Sequence, residues 1–284
     1  MKLIKALIFC LCPIFAISIA CADDWPVWGK DKSRNMVSDE TGICFDFEPG
    51  ELKADETVDL STTKNIKWVG KLGSQAYGNV TVGEGKVLVG TNNESVRDPQ
   101  KQGDRGVVMC FDEKSGEFEW QLVIPKLGAG KVSDWEYIGV CSSPAIENGK
   151  AYVVTNRCEV VCLDLEGLEN GNDGVFQEEQ VYIRPKGSSD SLNAQLDADI
   201  LWLYDMRDEL GVFPHNVTSS SALILGDRLF VATSNGVDWS HINIPSPLSP
   251  SWIALDKNTG ELIGEDGSGA SEEALHAAWS SLTY

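Results

Sequence analysis

A unit that recurs three times constrains this chain more than any other feature. Each copy opens with a two-residue turn between apolar stretches, Glu84-Gly85, Asn148-Gly149 and Gly226-Asp227, followed by a basic residue, Lys86, Lys150 or Arg228, at spacings of 64 and 78. Turns of this composition join the strands of hairpins. The flanking runs, such as Ala151-Tyr152-Val153-Val154 and Leu229-Phe230-Val231-Ala232, read as strands buried on both faces. A third apolar run ends at Asp112, Asp164 and Asp256. In the first and third copies Lys114-Ser115-Gly116-Glu117 and Asn258-Thr259-Gly260-Glu261 then supply the turn to a fourth strand, where glycine permits a positive φ. Trp120 and Trp202 lie on fourth strands, and the third copy has Gly264 in their place. The second copy joins its second and third strands by Asn156-Arg157 alone, so the longer links of the first and third, Asn92 to Arg105 and Asn235 to Ser249, read as insertions. A further polar insertion, roughly Leu165 to Ala198, delays Trp202.

Repeated four-strand antiparallel units are the blades of a β-propeller, so the fold class is all-β. The pattern Ala254-Leu255-Asp256-Lys257-Asn258-Thr259-Gly260, and Cys110 to Trp120 with Cys for Ala and Ser for Thr, resembles the PQQ-type (pyrroloquinoline-quinone-type) repeat that closes each blade of the PQQ-like propellers. The resemblance runs from about Lys67 to the C-terminus, and Asp24-Trp25-Pro26-Val27-Trp28-Gly29 looks like the opening segment of exported bacterial members. Intact members have seven or eight blades. This chain offers three complete units, and Trp279-Ser280-Ser281-Leu282-Thr283-Tyr284 looks like the innermost strand of a fourth, by comparison with Cys141-Ser142-Ser143-Pro144 and Ser219-Ser220-Ser221-Ala222. Three blades cannot close a ring and hide its edges, so the expectation is a fragment or truncated product, the alternative being completion by another chain.

The expected organisation is a signal peptide over 1–22, an N-terminal exported segment over 23–66 and a partial propeller over 67–284. Lys2 and Lys5, the apolar run Ala6 to Ile19 and the small residues Ala20-Cys21-Ala22 carry the signal reading, which places the protein in the periplasm or outside the cell. A lipid anchor at Cys21 is the minor alternative. No later segment is apolar enough to cross a membrane. The net charge of −20 disfavours nucleic acid and anionic lipid headgroups. Beyond the leader five cysteines remain; strand spacing argues against most pairings, leaves open a bridge from Cys44, and provides no CxxC pair.

In a propeller the second-to-third-strand links and the links between blades share one face. Polar and aromatic side chains on them form the candidate ligand-binding set: Trp135, Glu136, Arg157, His215, Asn216, Asn235, Asp238, Trp239 and His241. Arg157 suits a carboxylate or a local ion pair with Glu159, and Trp135 or Trp239 a planar ligand. The resemblance implies PQQ and calcium as cofactors, with Glu136, Asn216 and Asp238 as oxygen donors for the ion, but it carries neither a Cys-Cys pair nor a spacing that requires them. His215, His241 and His276 show no metal-ligand spacing, no catalytic residue is assigned, and Asn170-Gly171-Asn172-Asp173-Gly174 lacks the acidic start and closing Glu of a calcium loop. The leading functional reading is a non-catalytic module that binds a protein or glycan through its loop face. A quinoprotein dehydrogenase of alcohols or sugars and an outer-membrane assembly lipoprotein are the alternatives.

Overall fold

The computed structural model describes residues 22–284; the expected leader, with Cys21, lies outside them. A short hairpin of β1 (Glu51–Leu52) and β2 (Val58–Asp59) precedes three four-stranded antiparallel sheets. The first contains β3 (Thr81–Gly83), β4 (Lys86–Asn92), β5 (Arg105–Asp112) and β6 (Phe118–Pro125). The second contains β7 (Ala145–Glu147), β8 (Lys150–Val154), β9 (Glu159–Asp164) and β10 (Ile200–Asp205). The third contains β11 (Leu223–Leu225), β12 (Arg228–Ala232), β13 (Trp252–Asp256) and β14 (Leu262–Glu265). In each sheet the strands pair in sequence order. This is the propeller architecture, present here as an open arc of three blades.

The repeat alignment holds at residue level. Lys86 opposes Asp112, Lys150 opposes Asp164 and Arg228 opposes Asp256 in register. Glu84 and Gly85, and Asn148 and Gly149, all have positive φ, the type I′ geometry that matches strand twist; in the third turn Gly226 alone does. Each outer strand carries a register shift at the same place. As a result Trp120 pairs with Cys110, Trp202 with Cys162, and Gly264 with Ala254, which confirms Gly264 as the occupant of the missing tryptophan's position. Cys158 sits at φ 65° in the turn just before β9.

The core lies between blades, which is why the strands are apolar on both faces. Leu88, Val108, Trp120 and Leu122 of the first blade pack on Ile146, Val153, Val161 and Leu163 of the second. Tyr152, Val160 and Trp202 pack likewise on Leu229, Val231 and Leu255 of the third.

Two regular contacts cross these boundaries. The Trp120 indole donates to the Leu165 carbonyl at 2.9 Å and lies where a Cβ on Gly167 would be. Trp202 does the same to Lys257 and Gly260, and Trp68 to Glu113 and Gly116. Glycine is required there for both its positive φ and its missing side chain. Nearer the axis, Ser143 Oγ accepts the Asn79 N–H, Ser221 Oγ the Ser143 N–H, and Ser281 Oγ the Ser221 N–H, at 2.8–2.9 Å. The Ser281 link gives the last residues the same position relative to the third blade that Ser221 has relative to the second, although residues 278–284 pair as no strand.

The N-terminal segment threads across the innermost strands in blade order. Trp25 bridges Val82, the Pro26 carbonyl accepts from Ile146 N–H, and Arg34 donates to the Ala222 and Leu282 carbonyls. All five cysteines among the described residues are free, Cys44 exposed among them, so no Cys44 bridge forms. No helix among the described residues is long and apolar enough to cross a membrane.

Candidate functional site

The convergence of innermost strands leaves a cavity of about 860 Å³ on the axis. Trp28, Tyr77, Trp135 and Trp279 give it aromatic surface, and Asn79, Ser143, Asn216, Ser221 and Ser281 give it amide and hydroxyl groups. Ile138, Cys141 and Val217 complete much of the apolar wall. Among the described residues no acidic or basic side chain lines it, in a chain of net charge −20. Trp28 comes from the threading segment, Trp135 from the link after β6, and Trp279 from the C-terminal segment. Trp135 and Asn216 are held together, since the Trp135 N–H donates to the Asn216 carbonyl at 2.8 Å. Trp279 is fixed by its indole N–H, shared between the carbonyls of His215 and Val217 at 3.1 and 3.0 Å. The Cys141 thiol at the wall is pushed up to about 12 by burial, so it acts as an apolar group rather than a nucleophile.

The nine residues singled out on the loop face separate into three groups. Trp135 and Asn216 line the axial cavity, with Glu136 exposed beside Trp135. His215, on the link before β11, meets His241 in a second cluster, and Asp238 and Trp239 lie with His241 on the 235–249 insertion. Arg157 and Asn235 are engaged in holding the fold. Arg157 Nε donates to Glu159 at 2.9 Å and its guanidinium lies over Tyr182, which is the ion-pair reading of that residue. Asn235 Oδ1 accepts from Phe213 N–H and its amide donates to the Ser246 carbonyl. Trp28, Tyr77 and Trp279 fell outside that set because nothing local marks them as axial. The only available signal was the alignment of Trp279-Ser280-Ser281 with the other innermost strands.

In the second cluster the three histidines of the chain, which show no ligand spacing in sequence, converge. Ligand atoms of His215, His241 and His276 all lie within 4.8 Å of one another. His215 is fully buried, whereas His241 and His276 are exposed. His215 Nδ1 is 2.6 Å from the Val237 carbonyl and must donate to it, since a carbonyl only accepts. Burial, followed by the neighbouring histidines, holds this imidazole below its usual range and so neutral. Its Nε2 is buried without a partner.

The donor sets can be tested against the implied cofactors. PQQ carries three carboxylates, and the cavity lining offers no Lys or Arg to meet them. The calcium donors are dispersed: both Asp238 oxygens already accept hydrogen bonds, from Ser240 and Asn243, and Asp238 does not line the cavity. The lining therefore does not fit either group.

The fold and cavity define this chain as a β-propeller with an axial pocket. No protein-family model and no curated protein matches it. Among solved structures it is similar to the quinohemoprotein alcohol dehydrogenase of Comamonas testosteroni, with a TM-score of 0.50 and 13% identity over 84% of this chain and 26% of that one. Weaker likenesses are to a europium-containing methanol dehydrogenase (TM-score 0.43, 12% identity, 85% and 31% of the two chains) and to BamB from Moraxella catarrhalis (TM-score 0.35, 12%, 67% and 36%). At such identities the likeness is one of fold. The chain spans about a quarter of the length of the first of these structures.

Proposed function

We propose that the protein is an exported, non-catalytic binding module whose axial cavity takes an uncharged, hydroxyl-rich ligand with an apolar face, a glycan segment. The observation that carries this reading is the cavity lining itself: four aromatic side chains, several hydroxyl and amide groups, and no charge. Aromatic faces stack on the C–H face of a sugar ring while Ser and Asn side chains exchange hydrogen bonds with its hydroxyls. Trp135 on one side and Trp279 on another supply the stacking surfaces; Asn216 and Ser221 supply polar contacts. Trp28 contributes to the wall from the N-terminal segment. Export rests on the positive and apolar leader of the sequence, and the acidic surface is compatible with a partner that is not itself anionic.

The test is a titration of the full chain with a panel of neutral oligosaccharides, followed by tryptophan fluorescence and calorimetry, with PQQ plus Ca²⁺ in a parallel arm. Saturable oligosaccharide binding that Trp135→Ala abolishes supports the reading. Stoichiometric PQQ binding with dye reduction, or the absence of any saccharide binding, overturns it.

A further inference from the structure

We propose that His215, His241 and His276 form a binding site for a divalent transition-metal ion of zinc type, on the far side of Trp279 from the axial cavity's other lining residues and sharing that tryptophan with it. The three residues are the chain's entire histidine complement, and they arrive from three separate segments: the link before β11, the insertion between β12 and β13, and the irregular segment that follows β14. Three imidazoles with one position left open is a donor set that suits zinc and its neighbours in the first transition row.

The detail that points to a ligand is His215 Nε2. A fully buried imidazole whose Nδ1 is committed to a backbone carbonyl presents a lone pair on Nε2, and here that lone pair has no partner. Leaving such an acceptor dry is unfavourable, whereas a metal bond would satisfy it. The Val237 carbonyl is then the outer-shell group that sets the tautomer and aims Nε2, as carbonyls do for metal-bound histidines. His241 repeats the arrangement, with Nδ1 3.0 Å from the Trp239 carbonyl, leaving its Nε2 free.

The backbone is built to hold the third ligand close. Gly236 pairs with Ala277, and the Val237 N–H donates to the His276 carbonyl at 2.9 Å. Any Cβ on Gly236 would collide with that carbonyl. Trp279 packs edge-on against the His276 ring at a centroid distance of 4.5 Å. Tetrahedral Zn–N bonds of about 2.0–2.1 Å place the nitrogens roughly 3.3 Å apart. The two exposed rings need only small rotations to reach that spacing around the fixed His215. Their exposure leaves the fourth position open to water or to an anionic group of a ligand.

The experiment uses the full chain, stripped of metal by chelator and buffer exchange. Zn²⁺ is titrated against a chromogenic chelator, and Co²⁺ is added as a spectroscopic substitute. The expected result is one Zn²⁺ per chain and the visible absorption of four-coordinate Co²⁺. His241→Ala and His276→Ala, both at exposed positions, should each weaken binding by more than the roughly 10–100-fold that loss of an outer-shell partner brings. The double variant should bind none, with its thermal melt in chelator unchanged from wild type. Absence of stoichiometric Zn²⁺ in the wild type overturns the proposal. So does binding that survives in the folded double variant, which would assign the metal to surface carboxylates. Oligosaccharide titration of His241→Ala, whose ring packs on the other two histidines and not on Trp279, separates this site from the cavity: saccharide binding should be retained while metal binding falls.

Discussion

Ser143 Oγ accepts the backbone N–H of Asn79 at 2.8 Å across the boundary between the first two blades. Ser143 is itself the donor, through its own N–H, to the next blade's Ser221. The hydroxyls thus replace, one blade at a time, the hydrogen bonds that innermost strands cannot make to one another. Ser143→Ala leaves the Asn79 N–H without this partner, and Ser221→Ala leaves the buried Ser143 N–H without its own. Each change should cost about 1–3 kcal/mol in chemical denaturation.

Trp120 tests the outer boundary. Trp120→Phe keeps most of the apolar surface but loses the donor to Leu165, so its expected cost is about 1 kcal/mol, near the net worth of one hydrogen bond. Trp120→Ala should cost about 3–5 kcal/mol, because it also opens a cavity between the first two blades. The difference between the two variants in a denaturant titration measures the packing part.

Lys101 is fully buried in the β4–β5 link. Its Nζ contacts Asp98 at 2.8 Å and both oxygens of Asp197, in the second unit's insertion, at 2.6 and 2.7 Å. Burial pushes the Asp197 carboxyl up, despite this partner. Lys101→Met should destabilise the protein by about 3–5 kcal/mol at neutral pH, because it strands Asp197. The double variant Lys101→Met/Asp197→Leu should recover much of that loss, measured as a double-mutant cycle.

Asp199 gives a pH signature. Burial, then the negative charges of Glu179, Asp164 and Asp173, raise its carboxyl from 3.8 to about 6, although the Asp173 N–H bonds to it. Between those values the folded chain holds a proton that the unfolded chain has released. Stability therefore falls as pH rises through this window and stays lowered above it. Asp199→Asn should raise the melting temperature at about pH 8 and confer no gain at about pH 4.

The blades were legible in sequence because the repeat carries its own alignment. Lys86, Asp112 and Gly116 recur as a pattern, and the tight turns leave little freedom in register. Gly264 was legible as a missing tryptophan for the same reason. The sites were less legible because they are assembled across the repeat. His215 and His276 lie on links separated by a whole blade, so no local spacing marks them as neighbours. Trp28 reaches the axis only because residues 25–34 cross several innermost strands, a path that no periodicity encodes. Arg157 had a charge suited to ligand binding, but Glu159, two residues along, already engages it.

The most direct test of the axial cavity as a ligand site is fluorine NMR of fluorotryptophan-labelled protein during an oligosaccharide titration. The resonances of Trp135 and Trp279, assigned by substitution, should shift saturably, while those of the blade-boundary residues Trp120 and Trp202 stay in place. Shifts confined to Trp239 on the exposed insertion, or no shift at either axial tryptophan, would contradict binding in the cavity.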